Sequence, residues 1–494
     1  MLVVVKKLLT RVAFLLAGAL LAILLLRAWD SRGGPDLQPW HTHVPKELTP
    51  AQMDATDWAG YLAHEQALTD ELREYLRRKI PEAGRVVSNR YYEGAPMYPG
   101  RFAQDWNRSY RLMPDGPPRG AAVFLHGLTD SPYSMRHLSQ RYARNGFVAV
   151  VIRLPGHGTV PAGLTAADGR DWLAATRLAV REARRAAGPD VPLHIVGYSN
   201  GGALAMKYSL DALEDPTLAR PDRIVLISPM IGVTRFARFA GVAGWPALFP
   251  AFAKSAWLGL VPEFNPFKYN SFPVRAARQS HLVSQHLQRQ LLRLKESGQL
   301  DSLAPVLTFQ SVLDTTVSTP AVLSALYAQL PANGSEVVLF DVNRGLRFNS
   351  LLNPGAETAL AQLLPPGPQR YRTTVIANEA QGSARMVERS TEAGSVLERT
   401  RPLELTYPAS VFSLSHIALP FPVTDGVNGL TPDPADDFGV NLGTVAPRGE
   451  RATLSVDLDL LLRLSSNPFF PYLLERTDTL TGTPEPLAEP ADAP

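Results

Sequence analysis

A chain of 494 residues that is 45% hydrophobic can bury one large core with insertions, or two domains, and is not disordered throughout. Its formal net charge of +3, with no run of Lys/Arg interleaved with aromatics, argues against a nucleic-acid partner. The absence of cysteine excludes disulfides, thiolate metal sites, a cysteine nucleophile and a lipidated cysteine anchor.

In chain order, residues 12–26 (VAFLLAGALLAILLL) carry no polar side chain, and with 8–11 added the stretch approaches the ~20 residues that cross a bilayer. Lys6, Lys7 and Arg11 precede it, whereas Arg27 and Arg32 behind it are offset by Asp30 and Asp36. That charge bias predicts an N-terminal transmembrane helix over 1–29 with its N-terminus in the cytoplasm. The catalytic domain is then expected outside the cytoplasm, on the periplasmic side in a Gram-negative cell. A cleaved signal peptide, with secretion, is the alternative, although no A-x-A-like site follows the apolar run. Residues 30–110 read as a Gly/Pro-containing linker and then a surface helix pair over 49–80, where apolar residues recur at helical spacing among many charges.

Beyond 110 the pattern changes to short apolar runs: 121–126 (AAVFLH), 147–152 (FVAVVI), 192–197 (PLHIVG), 223–228 (RIVLIS) and 305–310 (PVLTFQ). Such runs are strands buried on both faces, as in a parallel sheet. Helical stretches lie around 134–145, over 171–187 and from Asn200 onward, so the alternation predicts a doubly wound α/β core over 111–228 that resumes at 304–342. Two segments interrupt it. Residues 229–303 are rich in Phe, Trp and Pro before turning into a charged helix, and they read as a helical cap. Phe236, Phe239, Trp245, Phe249, Phe252 and Trp257 would supply an apolar lining there, about half of them being needed for the cap's own core. Residues 343–401 form a second insertion, after the strand 335–341 (SEVVLFD), with a candidate extra strand at 370–378. Residues 402–476 return to the core and end in a helix, and the acidic, Pro/Ala-rich end, 477–494, is expected to stay unfolded.

The chemistry concentrates at Gly197-Tyr198-Ser199-Asn200-Gly201-Gly202, where an apolar strand runs through G-x-S-x-G into a helix. A serine in a strained, tight turn needs neighbours without side chains, here Gly197 and Gly201, so that strand and helix can approach. Ser199 is thereby the candidate nucleophile, and the N-terminal amides of the helix favour developing negative charge beside it. Earlier, strand AAVFL runs into His126-Gly127-Leu128-Thr129-Asp130. A turn placed there supplies a second oxyanion donor, so the backbone N–H groups of Leu128 and Asn200 are the expected pair. His126 and His157, each in a turn at a strand end, are read as bracing backbone groups.

HGLTDSPYS, RLPGHG and GYSNGG, in that order and at these spacings, resemble the monoacylglycerol lipase, carboxylesterase and serine aminopeptidase-like branch of the α/β-hydrolases over residues 121–228. The resemblance implies an α/β-hydrolase fold, a Ser-Asp-His triad in that chain order, and carboxylic esters as substrates. The acid is expected on a turn after a later strand, where Asp314 in SVLDTTV matches, with Asp301 and Asp341 as the alternatives. His416 in SLSHIALP is the only histidine after Asp314 and hence the expected base. The 102 residues between them exceed the few tens usual in the family, and the 343–401 insertion accounts for the excess. The implied activity is that of a lipase-like or esterase-like serine hydrolase needing neither metal nor organic cofactor. A small acyl ester or lipid would be its substrate, and a membrane its partner through the N-terminal helix. An aminopeptidase or amidase with the same triad, and a catalytically silent binding protein, are the rivals.

Overall fold

The computed structural model describes residues 2–30, 33–232, 247, 250–314, 316–345, 360–408, 413–443 and 465–482. Strands β1 (Tyr110–Leu112), β2 (Gly120–Leu125), β3 (Phe147–Ile152), β4 (Leu193–Tyr198), β5 (Arg223–Ile227), β6 (Val306–Ser311), β7 (Glu336–Phe340), β8 (Arg372–Asn378), β9 (Arg385–Thr391) and β10 (Glu398–Thr406) form one 10-stranded sheet. Their order is β1-β3-β2-β4-β5-β6-β7-β8-β9-β10. Pairing is parallel from β3 through β8, and antiparallel where β1 joins β3 and where β9 and β10 extend the far edge.

Alternation of side chains along each strand feeds two cores. In β2, Ala121, Val123 and Leu125 enter one cluster with Trp172 and Ala175 of α4 (Gly169–Ala187), Leu204 of α5 (Asn200–Glu214) and Leu287 of α6 (Val274–Glu296). Ala122 and Phe124 enter the other, with Leu138 and Tyr142 of α3 (Arg136–Arg144) and Tyr472 and Leu473 of α7 (Phe470–Thr481). Helices cover both faces, so these strands are wholly apolar rather than alternating.

The N-terminal region differs from its sequence reading in two respects. The helix pair over 49–80 exists as Pro50–Ala55 and α2 (Trp58–Lys79), but it is not merely a surface element. Met53, Trp58 and Tyr61 join the main core, and Glu65 accepts from Arg153 Nε at 2.7 Å, because the pair closes over the loop that follows β3. Leu2–Asp30 forms one helix of 29 residues, α1. Among the described residues, however, no helix is long and apolar enough to cross a membrane, so the expected transmembrane helix has no support there.

The second insertion is largely sheet. β8 falls inside the expected 370–378, but β9 and β10 carry the structure past 401 to Thr406. β10 is exposed along most of its length, and Arg399, Arg401 and Pro402 blunt this free edge against further pairing. At the C-terminus α7 continues through Thr481, beyond the expected limit of 476. The cause is local: Asp478 accepts from Arg141 Nε at 2.8 Å and from Asn145 Nδ2 at 2.7 Å, pinning the last turn to α3. Residues 484–494, expected to be unfolded, lie outside the described residues, as do Phe236, Phe239, Trp245 and Phe249 of the cap. Trp257 is buried and meets His41 of the N-terminal segment edge-on at 5.0 Å, so it packs the cap against that segment.

Candidate active site

β4 delivers Ser199 to the carboxyl end of the sheet in a backbone conformation rare for a residue with a side chain, φ 54° and ψ −116°. Its N–H donates to Ile227 O at 3.0 Å and its carbonyl accepts from Met230 N at 2.9 Å, so the strained turn is held from both sides. The two glycines are sterically required. A Cβ on Gly197 would stand 2.3 Å from Gly201 O, and one on Gly201 would stand 2.0 Å from Leu125 O, distances no carbon can occupy.

Two further elements converge on this turn. His416, in the short helical turn His416–Ala418, has Nε2 3.0 Å from Ser199 Oγ and Nδ1 2.9 Å from Asp314 Oδ2. Asp314 sits just past β6, where Thr316 N and Val317 N donate to its other oxygen at 2.8 and 3.0 Å. Burial alone would raise the Asp314 carboxyl, but the His416 charge, its hydrogen bond and that of Ser228 outweigh it and hold the group below the ordinary carboxylate value. Asp341 is instead paired with Arg344 Nε at 3.0 Å, and Asp301 is exposed on a short helical turn before β6. The structure therefore brings together Ser199, His416 and Asp314, and neither alternative acid. Ser199 and His416 are only 5% and 6% exposed, so a substrate must enter beneath covering groups rather than meet an open surface.

For the backbone amides of Leu128 and Asn200, no acceptor is seen among the described residues. Thr129, which follows Leu128, has φ 64°, and Tyr269 N donates to its carbonyl at 2.8 Å, fixing the turn from the cap side. Asn200 is fixed as well: Ser280 Oγ of α6 donates to its side-chain oxygen at 2.6 Å. His126 donates through Nδ1 to Gly127 O at 2.9 Å, while Nε2 accepts from Leu154 N at 3.1 Å, which places it as a brace between two loops. His157 is buried beside it, and burial lowers its pKa to about 4.

Sequence patterns did not single out Ser228. This fully buried residue ends β5 with φ 45°, donates its hydroxyl proton to Asp314 Oδ2, and has Oγ 3.0 Å from His416 Nδ1. The available signal was a Ser-Pro pair closing the strand next to the one that ends at Ser199. Gln310 Nε2 also donates to Asp314 Oδ2, at 3.2 Å.

The family model described as serine aminopeptidase, S33, matches residues 116–343, a span running from before β2 to just past β7 and holding the Ser199 turn and Asp314. Over that span, a little under half of the chain, the fold is that of the α/β-hydrolases. His416 lies beyond the matched span, on the far side of β8 to β10. The thermostable monoacylglycerol lipase of Bacillus sp. (strain H-257) is 38% identical over 52 residues, 10% of this chain and 21% of that lipase, so the match spans about a fifth of its relative. Among solved structures, a metagenome-derived lipolytic enzyme described with LipS and LipT is 24% identical over 47% of this chain and 86% of its own, at a TM-score of 0.38. The Paleococcus ferrophilus monoacylglycerol lipase is 16% identical over 47% and 86%, at 0.35.

Proposed function

We propose that this chain is a serine hydrolase that cleaves carboxylic esters through an acyl-enzyme formed on Ser199. The observation that carries the proposal is the pair of contacts at His416, Nε2 on the Ser199 hydroxyl and Nδ1 on the Asp314 carboxylate, at 3.0 and 2.9 Å. His416 accepts the Ser199 proton as Oγ attacks the carbonyl carbon, and Asp314 holds the imidazole in the tautomer whose Nε2 is free and stabilises the cation that forms. The amides of Leu128 and Asn200 bind the oxyanion. His416 then protonates the leaving alcohol, water replaces it, and the same steps in reverse order release the acid. The 52-residue likeness to a monoacylglycerol lipase supports acyl esters of lipids as substrates.

A fluorophosphonate probe should label the wild type and leave Ser199→Ala unlabelled; a wild type that fails to label overturns the proposal in favour of a silent binding protein. An aminopeptidase or amidase is the second reading, favoured by the description of the matching family model. Turnover of p-nitrophenyl acyl esters against aminoacyl anilides separates the two, and preference for the anilides would displace the ester reading.

The location belongs to the same proposal: α1 associates with lipid and the catalytic domain lies outside the cytoplasm. Exposed Phe14, Leu15, Leu21, Leu25 and Leu26 on α1, with Lys6 and Lys7 near its start, support it. Recovery of the full chain wholly in the soluble fraction, or resistance of its catalytic domain to protease added to spheroplasts, would overturn it.

A further inference from the structure

We infer that Ser228 is a positioning residue for the Asp314–His416 pair, an inference that rests on the triad proposed above. Three observations converge. Its hydroxyl proton is committed to Asp314 Oδ2, which leaves the oxygen's lone pairs facing His416 Nδ1 at 3.0 Å. The Nδ1 proton therefore lies between two acceptors, Asp314 Oδ2 at 2.9 Å and Ser228 Oγ. No geometry offers Nδ1 a donor, so both partners select the tautomer with hydrogen on Nδ1 and the lone pair on Nε2, the form able to take the Ser199 proton.

The backbone points the same way. Ser228 occupies φ 45°, a region where glycine is unstrained and serine is not. Its N–H is bonded to Phe309 O at 2.8 Å, and the chain must turn there so that Pro229 can pack against Gly202 of the elbow helix. A turn with no other duty would be better served by glycine. The side chain is fully buried, touches no solvent, and makes contacts only useful to the acid and the base. Strain kept at such a position, against an available residue that relieves it, is the mark of a side chain retained for function.

The same logic supplies the test. Ser228→Gly fits the backbone without strain and removes only the hydroxyl, and Ser228→Ala removes the hydroxyl while keeping the strain. For both, kcat on a p-nitrophenyl ester should fall about 10- to 100-fold with KM within about twofold, since the hydroxyl acts on the base and not on substrate binding. Ser228→Gly should melt at or above the wild-type temperature. A purely structural role predicts the reverse pattern for glycine, with full kcat, and a Ser228→Gly enzyme within twofold of wild type in kcat overturns the inference. A wild type that neither hydrolyses the ester nor labels with fluorophosphonate removes the triad itself and this inference with it. If the wild type labels and both variants match it, only the role of Ser228 falls.

Discussion

At Asp314 two opposing effects meet, because the site that shields the carboxylate from water also surrounds it with donors. His416, Ser228 and Gln310 all donate to Oδ2, while Thr316 N and Val317 N donate to Oδ1. Every lone pair that could be lost to burial is taken, so the charge survives and can stabilise an imidazolium. Asp314→Asn keeps the shape but puts a neutral amide against Nδ1, and kcat should fall by about 10⁴ with KM little changed. Asp341→Asn is the control, since that carboxylate faces Arg344 and not His416; its kcat should stay within about twofold of wild type. Equal losses in the two variants would mean that neither carboxylate acts as the triad acid. That Ser199 and His416 would meet was legible because few residues compete for those places: one G-x-S-x-G between strand and helix, and one histidine after Asp314. Ser228 was not, because a serine at a strand end has no pattern of its own until the fold sets it against Asp314.

The element that carries His416 is neither strand nor long helix, so its placement depends on side-chain anchors rather than on a backbone ladder. Ser311 Oγ donates to Leu414 O at 2.8 Å and Asn467 Nδ2 to Leu419 O at 3.2 Å, and Asp425 latches the loop that follows. Asp425 is fully buried, accepts from Tyr133 Oη at 2.9 Å, Arg136 Nη2 at 3.1 Å and His137 Nε2 at 2.9 Å, and closes its own loop through Val427 N and Asn428 N. These partners sit at the start of α3, 288 to 292 residues away in sequence, which is why no local motif announced the latch. Burial would raise Asp425, but hydrogen bonding from His137 and the charges of Arg136 and His137 drive it far below the ordinary carboxylate value. Removing it leaves a guanidinium that is 3% exposed with Asp436 as its one remaining carboxylate partner among the described residues. Asp425→Ala should therefore cost about 3–5 kcal/mol in urea unfolding and lower kcat by misplacing His416; unchanged stability would show that Arg136 finds Asp436 sufficient. The sheet repeats the lesson at larger size. β2 to β7 are buried on both faces and announce themselves as apolar runs, whereas β10 (ERTRPLELT) lies on an exposed edge, has no hydrophobic period to detect, and was missed.

Across the whole molecule, histidines buried in the neutral form tie stability to pH. His194 sits in β4, His126 and His157 in the loops behind the Leu128 turn, and His41 against the cap, so they lie in several separate parts of the fold. Burial lowers all of them: His194 to about 3, His157 and His41 to about 4, and His126 well below its usual value. In the unfolded chain the same imidazoles titrate near 6.5. Above that pH neither state binds the protons and stability is flat. As pH falls through 6.5 the unfolded state gains protons that the native state refuses until about 4 or below, so stability declines toward acid. For His157 and His194 the loss is about 2 kcal/mol each at pH 5. Asp314 and Asp425, whose pKa values are depressed, add a second loss only below the ordinary carboxylate range. The urea midpoint should therefore hold constant from pH 8 to 7 and then drop steadily to pH 5, before the depressed carboxylates Asp314 and Asp425 titrate. His157→Asn, which carries no titratable group, should flatten part of that drop even if it lowers the midpoint at pH 8. A midpoint that stays level between pH 7 and 5 would mean that these imidazoles take up protons while the chain is folded, and that the loops they brace open to water without unfolding.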